Sequence, residues 1–154
     1  MSEYRATIDW RRGGAAFKYE SYPRNHVLKF DHGIEVPASA APGNIPATAV
    51  GAPGVDPEQA FVASLSSCHM LWFLHLACKA GFVVDSYVDE ATGVMEKNAE
   101  GRIAVTRVTM CPIVAFAGTA PTAEAHEKLH HAAHEQCFIA NSVKSQVLCE
   151  PRIA

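Results

Sequence analysis

Charge is scarce in this sequence. Only 19% of its 154 residues are Asp, Glu, Lys or Arg, and they sum to a net charge of −3. No block of like charge and no basic stripe occurs. That excludes a sequence-independent nucleic-acid binder, which needs cations to displace counterions from phosphates. The start, Met1-Ser2-Glu3-Tyr4-Arg5, has no basic segment leading into an apolar run, so no secretory signal is expected. A paired cysteine framework is missing too. The 5 cysteines, at positions 68, 78, 111, 137 and 149, are odd in number, which predicts reduced thiols and a cytoplasmic setting. Internal repeats and low-complexity segments are absent.

Charge disappears altogether from two stretches. Residues 37–55 are rich in Pro, Ala and Gly and predict a long loop. From Gln59 to Cys78 the chain carries no Asp, Glu, Lys or Arg, and about 20 apolar residues can span a bilayer. Yet Gln59, Ser64, Ser66, Ser67, His69 and His75 interrupt this one, which predicts a buried central helix instead.

What is present reads as one α+β domain over residues 1–154. Tyr4, Ala6, Ile8 and Trp10 alternate with polar neighbours, as do Phe17 and Tyr19 after the Arg12-Gly13-Gly14 turn. Another strand runs through His26–Phe30, and Asp31-His32-Gly33 predicts a hairpin into Ile34–Val36. Asp56 suits an N-cap, Pro57 the first helical position and Gly81 the stop of a helix over about 57–80. Strands are expected at 83–97 and 102–116 around the turn Asn98–Gly101. A second helix follows from Pro121 to about Gln136, then a break at Cys137-Phe138 and a last strand at 145–150.

Cys68 lies deep in the uncharged helix. A buried cysteine ordinarily fills space. To act as a nucleophile it must ionise, and a mid-helix position gains little from the helix dipole, so a cation must come from elsewhere. Adjacent His69 points about 100° away along the helix and fits a core or interface histidine. Cys78, Cys111 and Cys149 have no motif around them and are expected to serve packing.

The segment Asp56-Pro57-Glu58-Gln59-Ala60-Phe61, with Cys68 ten residues after Glu58, resembles the helix-opening motif of the OsmC/Ohr family. His134-Glu135-Gln136-Cys137-Phe138-Ile139-Ala140-Asn141-Ser142 is similar to that family's segment around its second cysteine. The resemblance implies an OsmC-like fold, with antiparallel sheets around a long central helix, and an intertwined homodimer with its active sites at the subunit interface. It also implies a thiol peroxidase active in the oxidative stress response. Cys68 would attack an organic hydroperoxide, and Cys137 would close a disulfide that an external dithiol, such as a lipoyl-bearing protein, reduces. Glu58 would clamp an arginine facing Cys68; Arg24 fits that place, with Arg12 as its rival. Phe61, Leu65 and Trp72 would line a pocket for an alkyl tail. No metal or organic cofactor is implied.

Two other classes compete. His126-Glu127-Lys128-Leu129-His130 matches the H-E-x-x-H pattern of zinc hydrolases. A third ligand is hard to find, because His134 lies about 12 Å along the same helix from His126. A stripe of His126, His130 and His134 facing solvent or a subunit is the alternative. The remaining class is a non-catalytic stress or binding protein on the same fold.

Overall fold

The computed structural model describes residues Met1–Ala154, which divide into two compact units, Met1–Ala60 and Phe61–Ala154. The first unit is built on strands β1 (Thr7–Asp9), β2 (His26–Lys29) and β3 (Glu35–Ala38), antiparallel in the order β1-β2-β3. The expected hairpin joins β2 to β3 at Asp31–Gly33, with His32 at φ 62° and Gly33 at φ 75°. Glycine relieves the second of these of Cβ strain.

The alternating segment around Phe17 and Tyr19 is not a strand. Ser21 and Tyr22 both donate their backbone N–H to the Lys18 carbonyl, at 3.0 and 2.9 Å, and the chain curls into a turn. Arg24 holds that turn by donating to the carbonyls of Tyr19 and Tyr22 (2.8 and 2.6 Å). Polar–apolar alternation is thus overridden by a local side-chain-to-backbone network. The charge-free loop is more ordered than its composition suggests, with 3-10 turns at Pro42–Asn44 and Ala47–Ala49 and a bridge from Val55 to Ala38. A Cβ on Gly54 would meet the Ala38 carbonyl carbon at 2.7 Å, so that bridge needs glycine.

Helix α1 (Pro57–Lys79) starts as its sequence predicts, with the Asp56 carboxylate accepting from the Gln59 N–H at 2.7 Å. It ends at Gly81, φ 83°. The second unit contains the rest of α1, strands β4 (Val83–Asp89), β5 (Thr92–Lys97), β6 (Ile103–Met110) and β7 (Pro112–Ala117), and helix α2 (Ala123–Gln136). Strands β8 (Gln146–Cys149) and β9 (Arg152–Ile153) complete it.

Both long strands expected from sequence are in fact two. One breaks after Asp89 and the other at Cys111, where the Cys111 N–H donates to the Asp89 carboxylate at 2.7 Å. Halves then sort into two sheets, β4-β7-β9 and β5-β6-β8, in which β8 and β9 add as parallel strands.

Taken alone, the chain buries α1 along one stripe only: Leu65, His69, Phe73 and Ala77, four residues apart. Phe73 and Ala77 pack with Val114 of β7 and Ala133 of α2 in the core, all at 0% exposure. Burying Phe73 is worth about 2–3 kcal/mol. The opposite face of α1 stays open, with Leu71 60% exposed. By length and composition α1 could cross a membrane, but its buried stripe includes a histidine.

Candidate active site

Cys68 sits half-buried on α1, and Cys137 caps the C-terminal end of α2 at 1% exposure. Separated by 69 residues of sequence, the two thiols meet. The two side chains are neighbours close enough for Cys68 to act on the Cys137 thiol, and no disulfide joins them. Burial pushes the Cys137 thiol up to about 11, and the neighbouring Cys68 sulfur adds to that rise. A Cys137 thiol that keeps its proton places no second negative charge beside Cys68. The Ala140 N–H points at the Cys137 sulfur (3.4 Å), and Asn141 ties the segment to the Glu135 carbonyl (2.9 Å).

An apolar wall brackets the pair. Trp72, one turn beyond Cys68, meets Phe138, the residue after Cys137, edge to face at 5.4 Å between centroids. Phe138 is 66% exposed, so this wall is accessible. Leu65 does not share it. It belongs to the buried stripe of α1 at 0% exposure, which corrects its expected place in a substrate pocket.

The arginine candidates differ sharply in setting. Arg12 is exposed and donates to the Ala15 carbonyl across its turn (2.8 Å). Arg24 is buried, with its guanidinium 3.3 Å from the Tyr22 ring centroid. Arg24 and Glu58 line one cavity of about 550 Å³ in the first unit, alongside Trp10, Phe17 and Asn44. The expected ion pair between them is not formed. Arg24 spends its donors on two carbonyls, while Glu58 accepts from Asn44 at 3.2 Å and leaves its buried Oε2 without a partner.

Residues 50–151 match the family of OsmC-like proteins. The chain belongs to the OsmC-like family. An OsmC-like protein of unknown function from Vibrio cholerae is 49% identical, covering 98% of this chain and 99% of its own, with a TM-score of 0.92. An organic hydroperoxide resistance protein from Elizabethkingia anophelis shares 18% identity over 100% and 96% of the two chains (TM-score 0.66). OhrB of Bacillus subtilis, also an organic hydroperoxide resistance protein, shares 19% over 99% and 98% (TM-score 0.63). No curated protein matches the chain. The α+β architecture of this OsmC-like protein is that of its relatives.

A second group of side chains, absent from the motif-based expectation, lies next to the first. His69 Nε2 and His130 Nδ1 are 2.9 Å apart, and Cys149 Sγ is 3.6 and 3.7 Å from them. Behind them, His130 Nε2 faces His126 Nε2 at 3.3 Å. The H-E-x-x-H histidines thus share a buried face of α2, while Glu127 is exposed and His130 turns its other nitrogen to partners from α1 and β8. Burial lowers His69 to about 4 and His130 to about 3, the latter helped by its histidine neighbours, and lowers His126 as well. All three imidazoles are neutral near pH 7, with lone pairs available. Cys149 is pushed up to about 12, mainly by burial and further by Asp89, Cys111 and Glu150.

Proposed function

We propose that this OsmC-like protein reduces organic hydroperoxides to alcohols through Cys68 and Cys137; the adjacency of the two thiols supports this most. The Cys68 thiolate attacks the terminal oxygen of R–O–O–H. The O–O bond breaks, an S–O bond forms, and the alkoxide takes a proton to leave as R–OH. Sulfur is oxidised by two electrons to the sulfenic acid. The Cys137 thiol then displaces hydroxide from Cys68–S–OH, giving a disulfide and water. An external dithiol reduces that disulfide and restores both thiols.

The cation that favours the Cys68 thiolate is assigned to Arg24, the buried member of the two arginine candidates. Glu58 shares its cavity and has a free Oε2. Exchanging one carbonyl for that carboxylate would complete the clamp. The wall made by Trp72 and Phe138 favours an alkyl or aryl tail over hydrogen peroxide. A homodimer covers the open face of α1 around Leu71.

Treatment of the reduced protein with one equivalent of cumene hydroperoxide, followed by counting free thiols, tests the reading. Two thiols are lost and cumyl alcohol appears in equal amount. Cys68→Ser abolishes both changes. Cys137→Ser leaves Cys68 as a sulfenic acid that a dimedone-type probe traps. Unchanged thiol counts in the wild-type protein would leave this chain a non-catalytic member of its family.

A further inference from the structure

The three atoms His69 Nε2, His130 Nδ1 and Cys149 Sγ form a triangle with sides of 2.9, 3.6 and 3.7 Å. Two Zn–N bonds of about 2.0–2.1 Å and one Zn–S bond of about 2.3 Å, set at tetrahedral angles, require edges of about 3.3 Å between nitrogens and 3.6 Å from nitrogen to sulfur. The observed triangle is within a few tenths of an ångström of that face. We propose that these three side chains are a zinc site joining α1, α2 and β8, with its fourth position open to solvent.

Several independent features agree with a cation at that point. His69 is completely buried, and its Nδ1 has no partner. A neutral imidazole carries one proton, so placing it on Nδ1 frees the Nε2 lone pair for the shared point. His130 can be oriented from behind: with the proton on its Nε2 it donates to His126 Nε2, 3.3 Å away, and its Nδ1 is then an acceptor. Such a hydrogen bond behind a ligating histidine is what fixes its tautomer at metal sites. Tyr87, near Cys149, also has a buried hydroxyl without a partner. Asp89 and Glu150 act on Cys149 as negative neighbours, which favours a cation there.

Access is provided by a cavity of about 620 Å³ lined by His126, His130, His134 and Cys149. Water, or His134 from the next turn of α2, can fill the fourth position. On binding, the Cys149 S–H bond breaks, an S–Zn bond forms, and the proton leaves to solvent; no electron moves. A metal-independent cysteine nucleophile is the rival for this trio. It fits less well, since carboxylates near Cys149 oppose an uncompensated thiolate.

Cobalt(II) titration of the reduced full-length protein provides the test. One equivalent should bind per chain with a near-ultraviolet thiolate-to-cobalt band and intense visible bands of tetrahedral type. One equivalent of Zn²⁺ should displace it. Cys149→Ser and His69→Ala should lose the thiolate band, whereas Cys68→Ser and the exposed-residue control His131→Ala keep it. Because His69 is a core residue, cadmium-113 NMR of the wild-type protein gives a second measurement, with a shift expected for one sulfur and two nitrogen ligands. A missing thiolate band, a band surviving Cys149→Ser, or a cadmium shift typical of nitrogen and oxygen ligands alone would overturn the site. Retention of the band in Cys68→Ser separates this outcome from any failure of the peroxidase reading.

Discussion

Cys68 and His69 are adjacent on α1, yet they serve two different neighbourhoods. Cys68 is half-buried beside another thiol, within reach of an exposed aromatic wall. His69 is fully buried beside an imidazole and the Cys149 thiol. Each neighbourhood contains one long-range cysteine, and the partner decides what that cysteine can do. Sulfur facing sulfur can be oxidised to a disulfide at little structural cost. Sulfur facing two neutral imidazole nitrogens has no such partner but shares a point with two lone pairs. A helix turn of about 100° per residue is enough to keep the two chemistries apart.

Crossing the variants gives the largest expected effect. Cys68→Ser should abolish peroxide-dependent thiol loss and leave cobalt binding within about twofold, while Cys149→Ser should do the reverse. If either substitution removed both properties, the two neighbourhoods would be one site. Removing His126, which supports His130 from behind at 3.3 Å, should weaken Zn²⁺ binding by about 10–100-fold without changing the first oxidation step. A competition titration against a chromophoric chelator measures this.

The sequence carries these neighbourhoods unequally. Asp56, Pro57 and Gly81 mark α1 because caps are local, and their geometry is as expected. Cys68 and Cys137 stand out through the motifs around them. The second cluster has no such marks. His69 and His130 are 61 residues apart, and His69 and Cys149 are 80 apart. Only the four-residue spacing of His126 and His130 is visible locally, and it suggests a hydrolase whose glutamate is in fact exposed. Strand length is not legible locally for a related reason. The sheet change after Asp89 depends on a carboxylate that accepts from Cys111 across 22 residues. Arg24 stands out through the family resemblance, but its use of the Tyr19 and Tyr22 carbonyls depends on a turn that period-two counting reads as strand.

Acid and alkali should separate the neighbourhoods next. In chelator-treated protein His69 and His130 are held near 4 and 3 by burial, below their ordinary 6.5. The unfolded chain therefore binds protons that the folded chain refuses once pH drops below about 6.5. Stability is complete above that value and falls toward pH 4, by on the order of a few kcal/mol. Cys137 and Cys149 behave oppositely. Their folded values, about 11 and 12, exceed the ordinary 9, so stability is complete below pH 9 and falls as pH rises through 11. Urea denaturation at pH 4.5, 7.5 and 10.5 reads both limbs. Cys137→Ser should make only the alkaline limb shallower, leaving the part due to Cys149, and His130→Asn only the acid limb, leaving the part due to His69.

The smallest effect probes the one element common to both sites. Helix α2 carries His126 and His130 along its length and Cys137 at its end. Its first turn is held by Thr122, whose hydroxyl accepts from the Ala125 N–H at 3.2 Å. Thr122→Ala should cost about 1 kcal/mol, a shift visible as a lower urea midpoint. Fraying begins at the uncapped end and reaches His126 within one turn, whereas Cys137 lies 15 residues away and is tied independently through Ala140 and Asn141. Metal affinity should therefore fall by about fivefold or less, the full equivalent of that energy, while the yield of the Cys68–Cys137 disulfide stays unchanged. Equal losses in both would mean that α2 moves as a rigid rod, so that its two ends report a single equilibrium.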